Sequence, residues 1–314
     1  LIDTANVYGH DPADFSTGRG RSEAIIGDWV RRRGHQDDVV IATKMFFPMH
    51  DGRDSIGATP ANVTRECEAS LRRLGVDHID LYQLHHPSND IPVDETMTAL
   101  HRLVEAGKVR HVGTSTFSAW QLVETAWIAD RLSLTAPVSE QCVYNLLDRR
   151  IERELHGMTA SYGIGLLTWS PLAGGALAGV YHRGTSAPPG SRFDAFWAGR
   201  DEDLTPATHD VIDVVTRLAD ERGMSPATFA QAWVMRRPEP DSVLIGPRTV
   251  AQLEAGLAAS TVELDSEALE AIACVAPPGG CVLPQYGSDG LAWHPWGPHE
   301  SPWPRRLALQ GGRT

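Results

Sequence analysis

At 314 residues, 42% of them hydrophobic, the chain can bury a large core, and α/β barrels of this size are often one domain. A formal net charge of −12 argues against nucleic acid as a main partner, because phosphate binding needs a basic face. No apolar run reaches the ~18 residues of a membrane span, and no signal-peptide pattern is read, so neither a membrane partner nor an exported protein is expected.

The predicted elements alternate between strand-like and helical periods, the sign of a parallel sheet with crossover helices. Strands are expected at residues 1–5, 39–44, 78–85, 111–116, 139–145, 163–170 and 242–246. Between them, residues 22–33 carry Ile25, Ile26, Trp29 and Val30 on one helical face. Thr59-Pro60 supplies a cap and a first-turn proline for a helix at 61–74. Asp94 caps a helix at 95–105 that Gly107 ends, and Ser118 opens one at 120–131. Ser225-Pro226 opens 227–236, and Thr249 opens 250–259.

Seven strands are one short of a (β/α)8 barrel of the TIM type. The missing one is expected to be the first, with its helix, so the fold class is an α/β barrel lacking its first strand and helix. Residues 1–275 form the barrel domain on this reading, and 276–314 a tail rich in Trp (Trp293, Trp296, Trp303) with His294 and His299. Residues 173–205 are rich in Gly and Pro and read as a long loop over the barrel mouth. The cysteines Cys67, Cys142, Cys274 and Cys281 show neither CxxC nor zinc-type spacing, so free thiols in a reducing cytoplasm are expected.

Chemistry gathers at the carboxyl ends of the expected strands, where parallel barrels carry their active sites. The first strand ends near Asp3, with Tyr8 five residues on in the following loop; the second closes on Lys44, the third on His85. A cation near a phenol favours the phenolate left after proton donation, a carboxylate can hold the cation, and an imidazole can position a carbonyl. Lys occurs only at positions 44 and 108 in a chain that otherwise uses Arg, so a lysine at a strand exit stands out. A compact ammonium on a flexible stem suits a buried phenol better than a planar fork. His85 alone would read as a satisfied core histidine; in company with Asp3, Tyr8 and Lys44 it reads as a fourth catalytic group. His86 is divided between a bystander and a pocket lining. The run Arg31-Arg32-Arg33 reads as a solvated helix end, where cations suit the dipole.

The Asp-x4-Tyr spacing in Ile2–Gly9, the strand-terminal Lys44 and the Leu84-His85 exit resemble the aldo-keto reductases, on the bacterial branch near the potassium-channel β-subunit type. The resemblance covers roughly residues 1–275 and implies a catalytic tetrad of Asp3, Tyr8, Lys44 and His85. It also implies a nicotinamide cofactor bound without a Gly-x-Gly-x-x-Gly turn, which the chain lacks after any strand. Gly113-Thr114-Ser115-Thr116-Phe117 resembles the family's Gly-x-Ser-Asn-Phe turn, in which Ser115 and the residue at Thr116 reach the carboxamide. Thr116 replaces the Asn and loses its amide donor. Gln141 matches a glutamine that touches the same carboxamide. Trp169-Ser170-Pro171-Leu172 resembles Tyr-Ser-Pro-Leu, whose aromatic ring stacks on the nicotinamide while the next residues face the pyrophosphate. Gly246, Arg248, Thr249 and Gln252 resemble the adenosine-phosphate segment, and a forked Arg beside a helix amino end suits a 2′-phosphate. NADPH is therefore expected, with NADH the alternative. Ala255-Gly256 stand where the family has Glu-Asn against adenine.

The activity implied is reduction of a small-molecule aldehyde or ketone, with hydride from the pro-R face of the dihydronicotinamide and a proton from Tyr8. Two other classes compete. One is an NADP(H)-binding sensor or regulatory module with little turnover. The other is a metal-dependent barrel hydrolase using Asp3, His85 and His86, against which the lack of a His-x-His strand motif counts.

Overall fold

Apolar and β-branched runs form parallel strands at the seven expected places, and among the described residues helices form at the six expected stretches and at three further ones, Leu155–Tyr162, Pro206–Glu221 and Ser266–Val275. The computed structural model describes residues 1–9, 17–34, 36–50, 52, 55–88, 90–185, 188, 189, 191 and 204–283. Seven strands occur among them, one short of the eight of a closed (β/α)8 barrel. The chain divides into two compact units, Leu1–Glu140 and Gln141–Tyr286. Trp293, Trp296, Trp303, His294 and His299 lie outside the described residues, as do residues 192–203 of the expected loop.

In the first unit the elements run β1 (Ile2–Asp3), α1 (Arg21–Arg33), β2 (Ile41–Met45), α2 (Pro60–Leu74), β3 (Ile79–Leu84), α3 (Val93–Glu105), β4 (Val109–Ser115) and α4 (Ala119–Leu132). β1 pairs with β2, β2 with β3 and β3 with β4, all parallel. β1 is shorter than the expected 1–5, yet its ladder continues, with Thr4 N–H on Ala42 O at 2.8 Å and Asn6 N–H on Lys44 O at 2.9 Å. Side chains alternate faces along a strand, so the register sorts the residues. Thr43 stands opposite Tyr82, and both face helices: the Thr43 hydroxyl meets Glu23 of α1, and the Tyr82 hydroxyl meets Val63 O of α2. The other face carries Lys44 opposite Gln83, Gln83 opposite Gly113, and Asp3 opposite Ala42.

Local chemistry explains the helix ends. Thr59 accepts from Asn62 N–H at 3.2 Å, Pro60 opens α2, and Gly75 at φ 66° closes it in the left-handed conformation. Along α2, Val63, Cys67, Leu71 and Leu74 are buried at helical spacing. α3 corrects the expectation that Asp94 is its cap. The cap is Pro92, and Asp94 and Glu95 lie in the first turn, where carboxylates suit the positive end of the dipole.

The second unit takes β5 (Ser139–Val143) from Gln141 onward, then α5 (Leu155–Tyr162), β6 (Gly165–Trp169), α6 (Pro206–Glu221), α7 (Pro226–Met235), β7 (Ser242–Val243), α8 (Val250–Ala259) and α9 (Ser266–Val275). β6 and β7 are parallel, with Leu167 opposite Ser242. Its core holds the buried Phe229 and Trp233 of α7, with Trp233 against Tyr144 and the Arg149 guanidinium 5.0 Å from the Trp233 ring centre and paired to Glu152 at 2.8 Å. The segment after α9 returns to this core: Arg149 N–H reaches Gly280 O, and Val282 N–H reaches Leu147 O, both at 2.9 Å. Within the expected loop, Ala173–Ala178 form a 3-10 turn around Gly174 and Gly175, both at positive φ.

Candidate active site

The Lys44 ammonium is the centre of the site. Its residue is fully buried on β2, and its nitrogen donates to three oxygens: Asp3 Oδ2 at 2.5 Å, Thr4 O at 3.0 Å and Tyr8 Oη at 3.3 Å. An ammonium has three protons, so all of them have acceptors. β1 and β2 make this arrangement directly, because Asp3 pairs with Ala42 and so shares a face with Lys44 two residues on.

Tyr8 is set by its backbone. Its N–H bonds Ala5 O at 3.1 Å, and its carbonyl accepts from Ser22 N–H of α1 at 3.2 Å. Gly9 follows at φ 98°, where an added Cβ would come within 2.7 Å of Arg21 Cβ, so the turn that aims Tyr8 requires glycine. The Lys44 nitrogen lies 4.8 Å from the centre of the Tyr8 ring.

His85 follows β3, its N–H bonded to Met45 O at 3.0 Å. Its ring meets Tyr8 edge-on with centres 5.6 Å apart, and stacks on His86 at 5.5 Å and 8°. Burial, then the Lys44 ammonium, then His86 hold its pKa well below the ordinary histidine range, so it is neutral at pH 7. Its Nδ1 is buried with no hydrogen-bond partner among the described residues. Burial likewise pushes His86 down to about 4. Phe46 and Phe47 stand edge-on to His86, at 5.4 and 5.2 Å.

The four predicted catalytic residues thus come together in the first unit. So does Gln83, which the sequence reading did not single out. It lies buried on β3, and its Nε2 donates to Asp3 Oδ1 at 3.3 Å, the oxygen that Lys44 leaves over. Its one signal in the sequence is an amide inside the otherwise apolar end of a strand. Glu23, also unnoticed, is buried on α1 beneath β2 and takes the Thr43 hydroxyl at 2.5 Å and Arg73 Nε at 2.6 Å.

Ser115 ends β4 and Thr116 follows it in the same unit. Ser115 is buried, and Thr116 has φ 60° with its hydroxyl 2.7 Å from His86 Nδ1. Glu140 braces this turn, accepting from Thr114 Oγ1 at 2.5 Å and Phe117 N–H at 2.9 Å. Burial pushes its carboxyl up to about 8 against the pull of those bonds. Gly113 is required by packing: an added Cβ would lie 2.7 Å from Ser139 Oγ and 3.0 Å from Gln83 Cγ.

The remaining predicted residues belong to the second unit. Gln141 is buried in β5, and Trp169 ends β6 half-buried. Ser170 has φ 59°; its carbonyl accepts from Asn145 Nδ2 at 3.0 Å and its hydroxyl from Gly174 N–H at 3.1 Å. Pro171 is buried and Leu172 half-buried beside it. Gly246, Arg248, Thr249 and Gln252 are exposed at the amino end of α8. Thr249 caps α8 by accepting from Gln252 N–H at 3.2 Å, and Gln252 Oε1 accepts from Arg248 N–H at 2.8 Å. Gly256 is buried, and an added Cβ there would lie 3.0 Å from Ile245 Cδ1. Among the described residues no group of three or more His, Cys, Asp or Glu could hold a metal ion, and no helix is long and apolar enough to cross a membrane.

Comparison with known proteins gives the family. Residues 1–276 match the Aldo/keto reductase family. The uncharacterized oxidoreductase YrpG of Bacillus subtilis is 36% identical over 286 residues, 89% of this chain and 84% of the relative. A probable voltage-gated potassium channel subunit beta of Arabidopsis thaliana is 34% identical, over 83% of this chain and 78% of its own length. Versiconal hemiacetal acetate reductase of Aspergillus parasiticus is 30% identical, over 85% of this chain and 80% of the relative. The chain therefore belongs to the aldo/keto reductase family and is an NAD(P)H-dependent oxidoreductase.

Proposed function

We propose that the protein reduces an aldehyde or ketone to the alcohol with NADPH, and that Tyr8 donates the proton. The observation that carries this reading is the threefold bonding of the Lys44 ammonium to Asp3, Thr4 and Tyr8. Because Tyr8 Oη accepts from Lys44, its own O–H is directed to another acceptor, the carbonyl oxygen of a substrate. The same ammonium stabilises the phenolate left behind. Asp3 holds Lys44, and Gln83 holds Asp3. His85 is neutral, so it serves by hydrogen-bonding and orienting the carbonyl and is not the acid.

The bound dihydronicotinamide supplies the hydride. From the family resemblance, Ser115 and Gln141, each buried in its own unit, are assigned to its carboxamide, and the half-buried Trp169 ring is assigned to its face. Ser170, Pro171 and Leu172 are assigned to the pyrophosphate. Gly246, Arg248, Thr249 and Gln252 are assigned to the adenosine phosphate. The exposed Arg248 guanidinium, at the amino end of α8, is assigned to a 2′-phosphate, which favours NADPH over NADH. The four free cysteines suit a reducing compartment such as the cytoplasm.

Likeness to the Arabidopsis protein named as a channel subunit supports a second reading, an NADP(H)-binding regulatory module with slow turnover. Absorbance of NADPH with an aromatic aldehyde, for the protein and its Tyr8→Phe variant, separates the two. Consumption that falls about 10²–10⁴-fold in the variant, with cofactor still bound, is the expected outcome. Equal rates remove Tyr8 from its role. Tight binding without consumption in either protein favours the regulatory reading.

A further inference from the structure

Thr116 is β-branched, yet its φ of 60° lies in the left-handed region such side chains rarely enter. The related turn pattern carries Asn here, a residue that tolerates this conformation. Strain of this kind persists only where the surroundings hold it. Two neighbours do so. Glu140 takes the N–H of Phe117, the next residue, at 2.9 Å. On the other side the Thr116 hydroxyl lies 2.7 Å from His86 Nδ1 and 3.4 Å from the carbonyl of His85.

The His86 ring is itself fixed, stacked on His85 and flanked edge-on by Phe46 and Phe47. It is neutral at pH 7, so Nδ1 can accept a hydrogen bond. The Thr116 hydroxyl can donate to His86 Nδ1, or accept from it while donating to the His85 carbonyl, so either tautomer of His86 leaves it bonded on this side. We propose that Thr116 and His86 are a positioning pair whose bond ties the turn after β4 to the exit of β3 and so sets the His85 ring, with Thr116 making no contact with the carboxamide. The inference rests on the reductase reading above for its kinetic effect, but the bond itself does not.

Four proteins test it: the parent, Thr116→Val, His86→Phe and the double variant. Valine keeps the branch and removes the hydroxyl; phenylalanine keeps the stack and removes the nitrogen. With NADPH and an aromatic aldehyde, kcat is expected to fall about tenfold in each single variant and no further in the double. The Kd for NADPH, read by quenching of protein fluorescence, is expected to stay within about twofold throughout. Losses that multiply overturn the pairing. So does a Kd raised about tenfold in Thr116→Val while His86→Phe binds like the parent, since Thr116 would then touch the cofactor. If the parent consumes no NADPH, the reductase reading falls and the kinetic effect with it. Urea unfolding of the same four proteins without cofactor still judges the bond: stability losses that add overturn it, and losses that do not add uphold it.

Discussion

Lys44 is a buried cation whose three protons each meet an oxygen, and removing it leaves the Asp3 carboxylate without its counter-charge. Lys44→Met is therefore expected to cost roughly 3–5 kcal/mol in urea unfolding and to abolish turnover. A stable but inactive Lys44→Met would show that the ion pair matters to the chemistry and not to the fold. Gln83 acts one step out, through Asp3 Oδ1. Its bond to a charged group is worth about 1.5–3 kcal/mol, so Gln83→Leu is expected to lower kcat about tenfold or more, with NADPH binding retained. An unchanged kcat would make Gln83 a passive neighbour. The two differ in legibility. A lone strand-exit Lys in an Arg-rich chain is visible in the sequence, whereas Gln83 acquires meaning only from the register that sets it opposite Lys44 and beside Asp3.

At the scale of elements, caps and turn residues made the helices readable. Thr59-Pro60 and Thr249 open α2 and α8 where their chemistry says they should, because a cap bond is local. The helices α5, α6 and α9 lie outside the expected ones, although α6 has the same Thr-Pro opening at Thr205-Pro206 and a threonine cap bond. The pairing of strands is a different matter. Gly113 looks like any turn glycine until β3 and Ser139 crowd it. Gly113→Ala is expected to destabilise the protein by about 1–3 kcal/mol through overpacking, measured as a lower urea midpoint with an unchanged slope. If its midpoint matches the parent's, Ser139 moves aside and the close approach carries no energy.

For the whole molecule, burial of Glu140 links stability to pH. In the unfolded chain its carboxyl titrates near the ordinary 4.5, while folding moves it to about 8. Between those values the unfolded state has released a proton that the folded state keeps, so this group's contribution is complete at low pH and is lost as pH rises through about 8. Glu140→Gln cannot titrate, and its stability relative to the parent is expected to rise from pH 5 to pH 8 by roughly 3–5 kcal/mol. A pH-independent difference would mean that Glu140 is ionised in the folded state throughout. His86 has the opposite sign: its pKa falls on folding from 6.5 to about 4, so the stability it contributes is lost as pH drops through that window. The sequence by itself determined the alternation of strands and helices, the caps at Thr59, Ser118, Ser225 and Thr249, and the groups Asp3, Lys44 and His85 at strand ends with Tyr8 in the loop after the first. Hydrophobic period, turn chemistry and strand-end position are all properties of neighbours along the chain. Only the tertiary structure decided which oxygens Lys44 meets, that Gln83 holds Asp3, that Thr116 turns to His86, and that burial keeps His85 and His86 neutral. Those facts depend on strand register and desolvation, which are set by contacts between residues far apart in sequence.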